Sequence, residues 1–257
     1  MSLSLLVPLA VLIALGVAFG LFTLLSRGPE DTLFVALLRA VCLLYAKTIH
    51  RLKVHGPRPD PVPHTGAFIV VANHRSGVDP IVISVATRRR LRFLMAKEYY
   101  EIPVLHGAFR ALQCIPVKRD GNDLGATKMA LSALREGHVI AIFPQGGIRE
   151  ANTPLEGKEG VALLSVRTGA PVIPVYVDGS PNKDSALGAL FVPSRTTVRF
   201  GEAMDFSKGG QGKASREDLE AITAAILERI SSLGRERSTQ PEARPVSEPP
   251  GTSAGRG

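Results

Sequence analysis

Residues 68–83, FIVVANHRSGVDPIVI, place two apolar runs on either side of a polar loop. Phe68 to Val71 is a short, β-branched-rich run, which predicts a buried strand. Pro80 to Ser84 opens on proline and continues apolar, which predicts the first turn of a helix. Asn73, His74, Arg75, Ser76, Gly77, Val78 and Asp79 lie between them, so an imidazole and a carboxylate five positions apart occupy the mouth between a core strand and a core helix. Two readings fit that spacing. A neutral imidazole accepts a proton near neutrality, and a carboxylate holds one tautomer and stabilises the imidazolium that forms. Alternatively, Asp79 before Pro80 is a helix N-cap with proline at N1, and His74 is a half-buried, satisfied histidine.

Outward from this stretch, short apolar strands alternate with helical segments. The predicted strands are Ala67–Ala72, Arg92–Ala96, Cys114–Lys118, His138–Phe143, Pro171–Val177 and Thr197–Gly201. The predicted helices are Pro80–Thr87, Leu124–Glu136, Gly160–Thr168 and Ser215–Leu233. Continuous apolar strands separated by helices imply an α/β domain, a mixed central sheet with helices on both faces. After Leu233 the chain turns to Pro, Ser, Gly, Arg and Glu, the composition of a disordered tail.

The N-terminal end has a different character. Leu3 to Leu25 is 23 residues without a charge, roughly 34 Å as a helix and long enough to span a bilayer. No basic residue precedes the run, which favours an anchor over a cleaved signal. Arg27, Arg39, Lys47, Arg51 and Lys53 follow it, which puts the rest of the chain on the cytoplasmic side. Leu33 to Ala46 is a second apolar stretch, too short for a comfortable span and interrupted by Arg39. It is either an interfacial helix or a core helix of the domain. The organisation expected is a transmembrane anchor at 1–26, an apolar membrane-interface helix at 27–52, the main domain at 53–233 and the tail at 234–257.

Composition narrows the partners. A formal charge of +8 suits an anionic partner such as phospholipid, a phosphorylated metabolite or nucleic acid. Only 5% of residues are aromatic and none is Trp, which argues against a base-stacking nucleic-acid surface. The run Arg88–Arg89–Arg90 with Arg92 offers contacts to anionic lipid, or simply a solvated face. Cys42 and Cys114 lie in apolar surroundings and indicate neither a disulfide framework nor a metal cluster. No G-x-S-x-G elbow occurs, and SKGGQGKAS at 207–215 lacks the first glycine and the Ser/Thr of a phosphate loop.

Three further stretches carry polar groups at strand ends. CIPVKRD (114–120) ends in Lys118 and Arg119, suited to an anionic headgroup. IFPQGGIRE (142–150) places Gly146 and Gly147 where backbone N–H groups can face an oxygen. GAPVIPVYVDG (169–179) brackets a strand with prolines, a packing feature.

Taken in order, the four stretches resemble the glycerolipid acyltransferases of the 1-acylglycerol-3-phosphate acyltransferase (PlsC-like) family. NHRSGVD matches the family's N-H-x-x-x-x-D, PVKRD its arginine block and PVIPV its fourth block, while FPQGGIR stands where F-P-E-G-T-R is usual. The resemblance covers about Lys53 to Gly201. It implies transfer of a fatty acyl group from acyl-CoA or acyl-carrier protein to a lysophospholipid hydroxyl, with 1-acylglycerol-3-phosphate as the default acceptor. His74 would be the base and Asp79 its partner. Lys118, Arg119, Gln145, Gly146 and Arg149 would hold the acceptor's phosphate region. No metal, no cofactor beyond the thioester donor and no covalent acyl-enzyme are implied. The third block departs from the pattern: Gln145 replaces glutamate, Gly147 replaces threonine, and Ile148 stands where arginine is expected, with Arg149 one position later. These departures open the acceptor's identity to another lysolipid, such as a lysophosphatidylethanolamine or an amino-acid lipid. They also motivate the contrary reading, a catalytically inactive membrane lipid-binding module.

Overall fold

The computed structural model describes residues 15–21, 23, 24, 28, 30–58, 60–118, 123–148, 157, 159–181, 187–207 and 214–236. Among these the strands are β1 (Lys53–His55), β2 (Phe68–Ala72), β3 (Leu91–Ala96), β4 (Ile115–Val117), β5 (Val139–Ile142), β6 (Val172–Asp178) and β7 (Thr197–Phe200). They form one sheet in the order β1-β7-β6-β2-β5-β3-β4. Only the β6–β7 pair is antiparallel, so the sheet is mixed as expected. The apolar run at 68–72 forms the central strand, paired with β5 on one side and β6 on the other. Its side chains alternate between two layers, as the period of a strand requires. Val70 and Ala72 join a core with α1 (Leu33–Thr48), α2 (Asp79–Val85), α3 (Lys97–Tyr100) and α4 (Pro103–Ala111). Ile69 and Val71 join another with α5 (Leu124–Arg135), α6 (Gly160–Thr168) and α7 (Arg216–Arg235).

The six predicted strands form within one residue of their expected bounds and the four predicted helices within two. The sequence pattern does not reveal β1, α3, α4 or a 3₁₀ turn at Gly188–Phe191. β1 is three exposed residues on the sheet edge, with no apolar period to read. The helix α7 runs past Leu233 to Arg235, two residues beyond its expected end. Gly234 belongs to that helix because it lies against Tyr176, where a Cβ would come within 2.6 Å of the ring.

No helix among the described residues is long and apolar enough to cross a membrane. Within the run Leu3–Leu25, residues 15–21, 23 and 24 are helical; the rest of that run, and the chain from residue 237 onward, lie outside the described residues. The second apolar stretch forms α1, which presents two different faces. Its small residues Ala36, Ala40 and Ala46 turn inward with Val35, while Leu33, Phe34, Leu37, Val41 and Leu44 are exposed. Its C-terminus is tied to the segment before β7. His50 lies 2.7 Å from Ser194 Oγ through Nδ1 and 2.7 Å from Tyr45 Oη through Nε2. Tyr45 donates to Leu190 O, so it accepts from Nε2–H, which leaves Nδ1 to accept from Ser194. Burial pushes the His50 pKa down, in keeping with that neutral tautomer.

Within the basic run at 88–90, Arg88 is exposed as expected, but Arg89 and Arg90 correct the expectation of a lipid-contacting or solvated face. Arg89 is only 2% exposed. Its guanidinium donates to Glu30 Oε1 at 2.9 Å and to the carbonyls of Pro63, Gly66 and Gly137 at 2.9–3.1 Å. Arg90 pairs with Asp31 and donates to Glu30 O. These two arginines fasten the segment that precedes α1 to the sheet domain. Truncating Arg89 to alanine removes the donor that three carbonyls and the Glu30 carboxylate share. We therefore expect Arg89→Ala to lower the unfolding free energy by about 3 kcal/mol, measured by denaturant titration in detergent.

Candidate active site

The loop after β2 is built outward from the end of the strand. Asn73 is buried, and its side chain imitates one more residue of parallel ladder. Its Nδ2 donates to Val177 O at 2.9 Å and its Oδ1 accepts from Val177 N at 2.7 Å. The pairing of β2 with β6 is thereby prolonged past Ala72, and His74 emerges from a fixed base.

Asp79 gathers the rest of the loop around its side chain. Its carboxylate is fully buried. Oδ2 accepts from Arg75 N at 2.7 Å and Ser76 N at 2.8 Å, and lies 3.1 Å from His74 Nδ1. Oδ1 accepts from Ser180 Oγ at 2.7 Å. The helix cap is Val78, without a side-chain capping bond, and Asp79 is the first helical residue. Its side chain therefore serves the loop behind it rather than the helix ahead of it, which decides against the N-cap reading. With Nδ1–H directed at the carboxylate, the lone pair of His74 is on Nε2. The imidazole stacks on Phe143, centroids 4.0 Å apart and planes 16° apart, and Phe143 stacks in turn near Phe93. Arg75 turns the other way, its guanidinium 5.4 Å from the Tyr176 ring centroid.

The block after β5 approaches the same loop. Gln145 Oε1 accepts from the backbone N–H of His74 at 3.0 Å. The side chain expected at the acceptor thus also holds the main chain that carries the imidazole, and its amide NH₂ is left as the donor end. Gly146 adopts φ +68, open to glycine at little cost, and its N–H is donated to Phe143 O at 3.1 Å. That N–H is consumed by a turn, so the expectation that it faces a phosphate is corrected. Lys118 is exposed at the end of β4, three strands from β2, or roughly 14 Å at about 4.8 Å per strand. Its backbone N–H is held by Asp123. Arg119 and Arg149 lie outside the described residues. Among the described residues no group of three or more His, Cys, Asp or Glu side chains could hold a metal ion.

Three participants went unread in the sequence: Asn73 as a ladder mimic, Phe143 as the ring's wall and Ser180 as a partner of Asp79. Asn73 and Phe143 are themselves motif positions, and only their side-chain roles were hidden. Ser180 follows a Gly after a strand, a signal for a turn and nothing more.

An imidazole oriented by a buried carboxylate, at the carboxyl end of the central strand of an α/β sheet covered on both faces, is the equipment of an enzyme that moves protons during group transfer. Residues 51–178 match the Acyltransferase family. The chain is 25% identical over 177 residues to the 1-acyl-sn-glycerol-3-phosphate acyltransferase of Bacillus subtilis (strain 168), covering 67% of this chain and 83% of that one. It is 24% identical over 208 residues to the enzyme of the same name from Streptococcus pneumoniae, covering 80% and 75%. Its fold is similar to the crystal structure of PlsC, the 1-acyl-sn-glycerophosphate acyltransferase from Thermotoga maritima, with a TM-score of 0.62, 23% identity and coverage of 81% and 83%. The chain belongs to the acyltransferase family and is an acyltransferase.

The hydrogen bond to the His74 main chain generates a prediction. Gln145→Ala leaves that N–H without its acceptor and should lower turnover roughly tenfold, whereas Gln145→Glu, which keeps an acceptor oxygen, should stay within about threefold of the parent. Initial acyl-transfer rates on variants with matched thermal unfolding check this.

Proposed function

We propose that this acyltransferase moves a fatty acyl group from acyl-CoA or acyl-carrier protein to the free hydroxyl of 1-acylglycerol-3-phosphate, giving phosphatidic acid. The observation that carries the chemistry is the 3.1 Å approach of His74 Nδ1 to the buried, non-capping Asp79 carboxylate. His74 Nε2 takes the hydroxyl proton as the oxygen attacks the thioester carbonyl. The tetrahedral intermediate collapses with cleavage of the C–S bond, and the imidazolium returns the proton to the departing thiolate. Asp79 orients the ring and stabilises its charged form between the two steps. Arg119 and Lys118, with Arg149, meet the acceptor's phosphate. The curated relatives named for this reaction support the acceptor, and Gln145 in the third block is the reason to test others.

The same reading places the protein at a membrane. An exposed apolar face on α1, with small residues inward and large ones outward, supports it. Val104 on the neighbouring α4, 90% exposed, and Phe191, 85% exposed beside the Leu190 carbonyl that Tyr45 of α1 contacts, extend that face. Residues 1–26 act as the anchor, 27–52 as the interfacial element and 53–233 as the catalytic domain on the cytoplasmic side.

The purified protein should acylate lysophosphatidic acid with labelled acyl-CoA or acyl-carrier protein in preference to other lysolipids, and Asp79→Asn and His74→Ala should each cost roughly 10²- to 10⁴-fold in rate. A folded Asp79→Asn variant with the parent's rate would remove the pair from the mechanism. Deleting residues 1–26 should release much of the protein from membranes, and adding Leu37→Glu with Leu44→Glu should release the remainder, as measured by sedimentation with phospholipid vesicles. Complete retention of the truncated protein after a high-salt wash would assign the principal anchor elsewhere.

A further inference from the structure

We infer that Ser180, which lies outside the four sequence blocks, is a positioning residue of the acyl-transfer site: its hydroxyl fixes the Asp79 carboxylate so that Oδ2 stays turned toward His74. This rests on the reading of His74 and Asp79 as the catalytic pair.

The geometry is built rather than incidental. Ser180 Oγ donates to Asp79 Oδ1 at 2.7 Å. The other three donors, His74 Nδ1, Arg75 N and Ser76 N, all converge on Oδ2. Among the described residues Ser180 is thus the donor that occupies the second oxygen and defines the carboxylate's rotation about its Cβ–Cγ bond. The chain delivers it there through two constraints. Val177 is clamped to Asn73 by paired backbone–side-chain hydrogen bonds. Gly179 then turns with φ +70, in a position where a Cβ would come within 2.2 Å of Arg195 O. A glycine forced by contact with a neighbouring backbone turns the chain between the end of β6 and the serine that reaches back to the base's partner.

The charged and titratable groups around Asp79 among the described residues make the outcome readable. His74 faces Oδ2, and the approaching residues of the third block, Phe143 and Gln145, are uncharged. Residues 80–84 of α2 carry no titratable group. The Arg75 guanidinium sits over Tyr176, and Asp178, alternating with Val177 on β6, shares the Tyr176 face. A donor withdrawn from the carboxylate makes the His74–Asp79 pair, taken as one unit, a better proton acceptor, so the pair protonates at higher pH.

The test compares Ser180→Ala, Ser180→Thr and Ser180→Cys in the full chain, alongside His74→Ala, reading kcat, KM for both substrates, thermal unfolding and the pH–rate profile. Ser180→Ala should lose roughly tenfold in kcat with both KM values within about twofold, because a hydrogen bond to a charged group is removed. The acid limb of its kcat profile should move up by roughly half a pH unit. Ser180→Thr, which keeps the hydroxyl, should restore both rate and limb; Ser180→Cys, a weak donor, should fall between. If Ser180→Ala does not fold, the Thr and Cys variants alone decide, and equal rates and equal limbs for those two would overturn the proposal. A folded Ser180→Ala variant with the parent's kcat and acid limb, in a series where His74→Ala is inactive, overturns the role of Ser180 while leaving the catalytic pair standing. An active His74→Ala variant would overturn the pair itself and this inference with it.

Discussion

A carboxylate withdrawn from water has to be met by donors on nearly every lone pair, or its burial costs several kcal/mol. Asp79 imposes that condition at the carboxyl edge of the central strand. Two of its donors are consecutive backbone N–H groups, of Arg75 and Ser76, so satisfying the charge also dictates how the loop folds. The third is the imidazole of His74, and the fourth comes from Ser180 in the turn after β6. Loop shape, ring orientation and the docking of the β6 turn are consequences of one buried charge. A hydrophobic residue at position 79 would remove the demand and, with it, the reason for the loop's conformation.

The sheet supplies the fixed frame on which that loop stands. β2 is buried on both faces and paired on both sides, the most constrained position the topology offers. β5 and β6, its two neighbours, reach the loop after β2 directly, β5 through Gln145 beyond its end and β6 through Val177 and, beyond its end, Ser180. The block after β4 is separated by two intervening strands. The His74–Asp79 pair and the basic end of β4 thus stand at different places along one edge, which in the proposed function divides proton transfer from acceptor binding.

Much of this was legible because it depends on pattern. The continuous apolar run at 68–72 announces a strand covered on both faces, and alternation with helices announces the α/β layers. The His74–Asp79 spacing announces two side chains at one strand end, but spacing alone could not separate a helix cap from a partner of the imidazole. That decision lies in which N–H groups the carboxylate accepts from, a matter of loop geometry. Ser180 was illegible for the same reason: it meets Asp79 across 101 residues of chain, through a turn whose only local mark is a glycine. The arginines at 88–90 misled because a run of like charge ordinarily lies in solvent. Here two of the three are drawn inward by carbonyls and acids from distant segments.

The stack of His74 on Phe143 has a consequence for timing. A phenyl face attracts a neutral ring through dispersion and a cationic ring through its quadrupole, so the wall is favourable before and after the imidazole is charged. A base held in that way has no incentive to rotate between taking a proton and giving it back. In the proposed reaction, the oxygen that surrenders the proton and the sulfur that receives it would then both lie within reach of one nitrogen, on the same open side of the ring.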